Sequence, residues 1–214
     1  MKTLIAIPCM DTVQTQFTRC LVDLTRTAPP DTSVCFKQSS LIYDSRNLLA
    51  LTAIENNYDR VLWLDSDMIF PTDVLTRLHS DMDKGYDMVS GLYVKRGGNI
   101  IPVLWKQIDP PEKHNNDIRK CIIDYLDYPQ NTLFDIAGSG FGCVMTSVKL
   151  LKDIFDKYGP AFSPFVWAGE DISFCYRAGL IGARIACDTT FKLGHIGNVT
   201  FTEDIFLKNR GDQH

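Results

Sequence analysis

Through the first half of the chain, short apolar runs alternate with longer stretches whose apolar residues recur at helical spacing, the pattern of a parallel sheet flanked by helices. Thr3 to Pro8 reads as a first strand and Thr12 to Thr27 as a helix. Pro29-Pro30-Asp31 then breaks the chain, Ser33 to Lys37 forms a second strand, and Asp44 to Asn57 a second helix expected to bury Leu48, Leu51, Ala53 and Ile54. Arg60 to Asp65 is the third strand. Pro71 marks the first turn of a helix running to about Asp83, and Tyr86 to Tyr93 is another strand.

The second half is less regular. Between residues 95 and 131, Gly97-Gly98, Pro110-Pro111 and His114-Asn115-Asn116 mark loops around short strands at Ile101 to Trp105 and Lys120 to Tyr125, and substrate-shaping insertions are expected there. Phe134 to Thr146 is strand-like but interrupted by Gly138-Ser139-Gly140-Phe141-Gly142, where the backbone must turn sharply or be approached closely by a ligand. Helices at Ser147 to Tyr158 and Glu170 to Ala178 and a last strand at Ala183 to Cys187 complete the reading: an α/β fold with a mostly parallel central sheet.

With 214 residues and 45% hydrophobic content, one domain covering 1–214 has ample material for a single core. The ending Asp212-Gln213-His214 carries no stop signal, which is compatible with one domain of a longer polypeptide. The net charge of -4 is interspersed and no basic tract is present, which argues against nucleic acid as a partner. The apolar run from Leu4 to Ile7 is too short for a signal-peptide core, and no segment approaches the roughly 20 apolar residues of a membrane span. Seven scattered cysteines without a Cys-x-x-Cys pair fit buried thiols in a reducing cytosol, so a cytoplasmic location is expected and the Asn198-Val199-Thr200 sequon carries no meaning there.

The most informative chemistry lies in Leu64-Asp65-Ser66-Asp67, where two acids fall one residue apart as an apolar strand runs out toward Pro71. On a strand their side chains share one side, roughly 7 Å apart at Cβ, and two such acids repel unless a cation or a ring of donors neutralises them. In open parallel sheets, ligands collect at this carboxyl edge. His195, bracketed by Gly194 and Gly197, is either a structural histidine or a third metal ligand beside Asp65 and Asp67, a mixed set that suits Mn²⁺, with Mg²⁺ the harder-oxygen alternative. Glu170-Asp171, after Trp167-Ala168-Gly169, either caps a helix or handles the proton of a substrate hydroxyl. Arg46, in a helix that Asp44 or Ser45 would cap, is either a surface side chain or a phosphate or base contact. Gly91 to Arg96 offers similar cationic and aromatic contacts, or simply a solvated loop.

Together, Ile5-Ala6-Ile7-Pro8-Cys9, Ser45-Arg46-Asn47, Leu64-Asp65-Ser66-Asp67, Gly138-Ser139-Gly140, Gly169-Glu170-Asp171 and Gly194-His195, in that order over nearly the whole chain, resemble a glycosyltransferase of the GT-A fold. The likeness is to the compact family-2-like enzymes of bacteria, phages and large DNA viruses. It implies a Rossmann-like nucleotide-diphospho-sugar transferase, with a nucleotide-binding half at about 1–95 and an acceptor half at about 96–214. It further implies a UDP-sugar donor, such as UDP-glucose, and a glycan or other hydroxyl acceptor. By the same resemblance, Pro8, Cys9 and Asp11 line the nucleoside pocket and Arg46 contacts the nucleotide. Asp65 reaches the ribose or sugar, Asp67 and His195 hold the metal, Gly138, Ser139 and Gly140 face the donor, Asp171 acts as base and Glu170 positions the acceptor. Gln-x-x-Arg-Trp, the signature of processive synthases, is absent. Two other readings stay open: a haloacid-dehalogenase-like phosphotransferase with a nucleophilic Asp65, and a non-catalytic nucleotide-sugar binding module.

Overall fold

The computed structural model describes residues 1–97, 99–197 and 200–211. The sequon residues Asn198 and Val199, the second glycine of Gly97-Gly98 and the ending at 212–214 lie outside the described residues.

The first-half alternation folds as read, with small shifts of boundary: β1 (Thr3–Cys9), α1 (Thr15–Thr27), β2 (Thr32–Gln38), α2 (Ile42–Glu55), β3 (Arg60–Leu64), a two-residue β4 (Met68–Ile69), α3 (Val74–Met82) and β5 (Met88–Gly91). Then follow β6 (Leu104–Ile108), β7 (Ile122–Asp124), β8 (Leu133–Asp135), β9 (Gly138–Ser139), β10 (Cys143–Ser147), α4 (Val148–Tyr158), α5 (Glu170–Leu180), β11 (Ile185–Asp188), β12 (Gly194–Ile196), β13 (Thr200–Thr202) and α6 (Glu203–Gly211).

Seven strands form the central sheet in the order β2-β1-β3-β10-β5-β11-β8. β1 runs parallel to β2 and β3, and β5 parallel to β11, but β10 lies antiparallel between β3 and β5, and β8 is antiparallel at the edge. The sheet is therefore mostly parallel, as read, but mixed: β10 and β8 run against the other strands. The run Phe134 to Thr146, strand-like but interrupted at its glycines, is divided there among three strands in two sheets. Two three-stranded sheets, β13-β12-β4 and β7-β6-β9, stand beside the main one.

Period-two alternation sorts the central strands between two cores. Ile5, Ile7, Leu62, Leu64, Val89 and Met145 pack toward α1 and α3, while Leu4, Ala6, Val61, Trp63, Met88 and Val144 pack toward α2, α4 and α5. Both sets are buried, so these strands read as continuous apolar runs rather than alternating ones.

The orientation of α2 differs from expectation. The helix starts at Ile42 after an extended Leu41, so neither Asp44 nor Ser45 caps it, and the face turned inward carries Ser45, Arg46, Leu49, Ala50 and Ala53. Leu48 is exposed, and Leu51 and Ile54 are half-buried. Hydrophobicity alone favoured the leucine-rich face. The tertiary structure rotates a guanidinium inward because carboxylates wait for it there. All seven cysteines are free thiols, and among the described residues no helix is long and apolar enough to cross a membrane.

Candidate functional site

Beyond Leu64 the third strand ends and Asp65, Ser66 and Asp67 form a turn, closed by the Met68 N–H donating to the Asp65 carbonyl (3.1 Å). The turn is held on two sides. The Asp65 N–H donates to the Gly142 carbonyl (3.0 Å), and the Gln14 N–H, leading into α1, donates to the Ser66 carbonyl (3.3 Å). The two acids expected to face one ion instead diverge to different partners.

Asp65 Oδ1 accepts from Arg46 Nη2 at 2.7 Å, and Arg46 Nη1 donates to Glu170 Oε1. The guanidinium is 3% exposed and lies over the Phe141 ring, 5.5 Å from its centroid. A planar fork reaching two carboxylates from elements remote in sequence is a geometry only arginine supplies. Burial alone would lower the Arg46 pKa, but Asp65, Glu170 and Asp171 outweigh it and keep the cation. Burial raises the Asp65 carboxyl against the pull of Arg46.

Asp67 turns the other way. Its Oδ1 lies 3.6 Å from His195 Nε2, and its Oδ2 pairs with Arg96. His195 lies on β12, a strand beyond those read from the sequence, whose register sets it opposite Met68 of β4. The Ile196 N–H donates to the Asp67 carbonyl (2.7 Å), fixing strand and turn to each other. His195 Nδ1 lies 2.9 Å from the Val94 carbonyl oxygen, which can only accept, so Nδ1 carries the proton and Nε2 faces Asp67. Burial works against charge on both members, yet their mutual attraction wins: the Asp67 carboxyl is lowered and the His195 imidazole raised.

Asp171 sits in the first turn of α5 beside Glu170. Its Oδ1 accepts from the Ile172 N–H at 2.7 Å. Burial, then the neighbouring Glu170 charge, pushes its carboxyl up to about 6 against the pull of Arg46. Such a group is poised to take a proton near neutral pH.

The glycine run is approached closely, but by protein side chains. A Cβ on Gly138 would stand 2.7 Å from Cys175 Cβ, one on Gly140 2.2 Å from the Tyr93 hydroxyl, and one on Gly142 2.8 Å from Tyr93 Cζ. The Gly142 N–H donates to the Tyr93 hydroxyl (3.2 Å), and the Tyr93 ring meets His195 edge-on with centroids 5.4 Å apart. Gly138 thus makes room for Cys175 of α5 and Gly140 for Tyr93 and Val103, while Ser139 is buried opposite Leu104 of β6. Pro8 is buried, and Cys9 is half-buried at the carboxyl end of β1, next to β3. Asp11 is exposed and accepts from Gln38 Nε2 at 2.6 Å.

The sequence brought forward Asp65, Asp67, Arg46, Glu170, Asp171 and His195, and all six converge here. It missed Phe141 beneath Arg46 and the Val94 carbonyl that orients His195; a main-chain oxygen has no sequence signal. Arg96 looked more like a solvated loop cation than a partner of Asp67. Among the described residues, no three His, Cys, Asp or Glu side chains come together as a metal cage, which corrects the three-ligand set Asp65, Asp67 and His195, because Asp65 is turned to Arg46. A cavity of about 780 Å³, lined by residues of α3, β8 and β11 including Asp81 and Asp188, shares none with this cluster.

No family model matches the chain. An uncharacterized protein of African swine fever virus is 31% identical over 93 residues, 43% of this chain, and the match spans 37% of that protein's length. The fold is similar to the crystal structure of A197 from STIV, with a TM-score of 0.66 and 18% identity over 95% of this chain and 91% of that one. It is also similar to GalNAc-T7, solved with UDP, GalNAc and Mn2+, at a TM-score of 0.61 and 11% identity over 92% of this chain and 44% of that one. The chain thus shares its overall fold with A197 and with part of GalNAc-T7.

Proposed function

We propose that the protein is a metal-dependent glycosyltransferase that moves a sugar, most simply a hexose such as glucose, from a UDP donor to a hydroxyl of a glycan or other acceptor. The observation that carries this reading is the meeting of Asp67 Oδ1 and His195 Nε2 at 3.6 Å, beside an arginine-bridged pair of acids and an elevated Asp171. With Nδ1 bound to the Val94 carbonyl, Nε2 of a neutral His195 is left as a ligand atom beside the Asp67 carboxylate. Two ligand atoms each about 2.1 Å from an ion stand about 3–4 Å apart, so the pair fits one Mn²⁺ or Mg²⁺. Two protein ligands suffice where substrate phosphates and water complete the shell. The likeness to GalNAc-T7, whose structure contains UDP and Mn2+, is in keeping with this donor and ion.

When bound, the metal supplies charge to offset that building on the departing diphosphate. The chain's own residues do the rest. Arg46 holds Asp65 and Glu170 in place at the carboxyl edge of β3. Pro8, Cys9 and Asp11, at the neighbouring end of β1, form the wall for the nucleoside, with Asp65 toward the ribose or sugar. Asp171 receives the proton of the acceptor hydroxyl as the glycosidic carbon is attacked, and Glu170 orients that hydroxyl. Gly140 and Gly142 serve indirectly by seating Tyr93 against His195, and Gly138 by admitting Cys175 of α5.

The test is calorimetric titration of UDP-, GDP- and dTDP-sugars with and without Mn²⁺. UDP-sugar binding that needs Mn²⁺ and falls about 100-fold in Asp67→Asn is the expected result. Preference for GDP- or dTDP-sugars would overturn the uridine assignment, and indifference to Mn²⁺ the metal assignment.

A further inference from the structure

Two arginines neutralise the paired acids, and they are held in opposite ways. Arg46 is 3% exposed and spans two carboxylates, so it cannot leave without stranding both. Arg96 is 49% exposed. Its Nη1 pairs with Asp67 Oδ2 and donates to the Ile196 carbonyl (3.0 Å), on the same strand that carries His195. The base of its loop is clamped by the Val94–Pro102 bridge and by the Lys95 N–H donating to the Ile101 carbonyl (2.9 Å). Gly97, the next residue, takes φ +76°, which turns the chain sharply away after Arg96. The guanidinium therefore sits on a defined seat at the edge of solvent, between Asp67 and the Ile196 carbonyl.

We infer that Arg96 is the built-in counter-ion of Asp67, keeping the cation seat neutral until the donor arrives and then moving onto a diphosphate oxygen. The inference rests on the metal reading above. A divalent ion between Asp67 Oδ1 and His195 Nε2 would share one carboxylate with the guanidinium on Oδ2, and two cations on one carboxylate repel each other. The incoming diphosphate brings the missing anionic charge, and a guanidinium released at that moment matches a phosphate edge bidentately. Arg96 then weakens the ion bound alone and strengthens the ion bound together with the nucleotide, so its two effects have opposite signs.

That opposition is measurable. Free Mn²⁺ is followed by its electron paramagnetic resonance signal in wild type, Arg96→Met, Arg96→Lys and Asp67→Asn, and UDP is then titrated at saturating Mn²⁺ by calorimetry. Arg96→Met should bind Mn²⁺ alone about 10-fold more tightly and UDP about 10-fold more weakly than wild type, with Arg96→Lys between them. A role confined to holding the loop would move both affinities in the same direction, and that result overturns the inference. If Mn²⁺ binds, is lost in Asp67→Asn and is unchanged in Arg96→Met, the Arg96 assignment fails and the metal reading stands. If no variant binds Mn²⁺ in a way that depends on Asp67, both fail together.

Discussion

Asp65 and Asp67 are two residues apart and both are half-buried, yet the arginine paired with Asp65 is sealed in and the one paired with Asp67 is half exposed. Asp65 shares Arg46 with Glu170, beneath the sheet edge and over Phe141. Asp67 pairs with the half-buried His195 and with Arg96, whose side chain is the exposed member. A carboxylate neutralised by a guanidinium that cannot leave is a structural element. One neutralised by a proton-bearing imidazole and a half-exposed arginine can trade them for a metal ion. The same motif thus supplies an anchor and a seat.

The largest effect should come from attacking the anchor. Arg46→Met leaves Asp65 and Glu170 facing each other without a cation, and breaking a buried pair from one side costs about 3–5 kcal/mol. Both carboxylates keep some contact with water, so about 3 kcal/mol is expected in urea denaturation. A loss below about 1 kcal/mol would mean that the network does not hold the site.

Next is the seat. Asp67→Asn should leave global stability within about 1 kcal/mol of wild type, because its partners remain partly solvated. Mn²⁺-dependent UDP binding should nevertheless fall about 100-fold, equivalent to about 2.7 kcal/mol. Stability lost in proportion to binding would erase the distinction between seat and anchor.

Asp171 tests the proton step. A carboxyl raised from 3.8 to about 6 binds its proton more tightly in the folded protein. Its contribution is therefore full below about pH 4 and is lost as pH rises through about 6. Asp171→Asn should stabilise the protein at pH 7.5 by about 1–2 kcal/mol, with no gain at pH 3.5. Sugar transfer by the wild type should rise with pH through about 6. An acid limb that survives in Asp171→Asn would assign the base elsewhere.

The smallest effects belong to the imidazole. His195 is raised above its ordinary 6.5, so its bond to Asp67 contributes fully below that value and fades as pH rises through the raised one. Asp67 is held below its ordinary 3.8, so its share is present above that value and is lost as pH falls through the lowered one. Between these limits, near pH 5.5, His195→Gln should cost about 1 kcal/mol, shrinking at pH 9. Equal costs at both pH values would show that the ring acts only through packing on Tyr93.

Most strands and helices were legible because apolar periodicity reports burial directly, as in β1, β3 and α4. The inner face of α2 was not, because Arg46 is drawn in by acids 19 and 124 residues away and local pattern holds no trace of them. Nor was the antiparallel seating of β10, since a short apolar strand reads alike in both directions. The glycines of 138–142 announced a close approach, but not that Tyr93 would make it.

By itself the sequence determined which chemical groups the protein owns and which runs must be buried: the acids after β3, the Glu170-Asp171 pair, one arginine in α2, a histidine between glycines, and an apolar chain that alternates into layers. Only the tertiary structure decided the pairing, sending Asp65 to Arg46 and Asp67 to His195 and Arg96. The reason is one of range. Burial preference is written in each residue and its near neighbours, whereas the partner of a charge depends on which distant side chain the packed layers bring within about 4 Å.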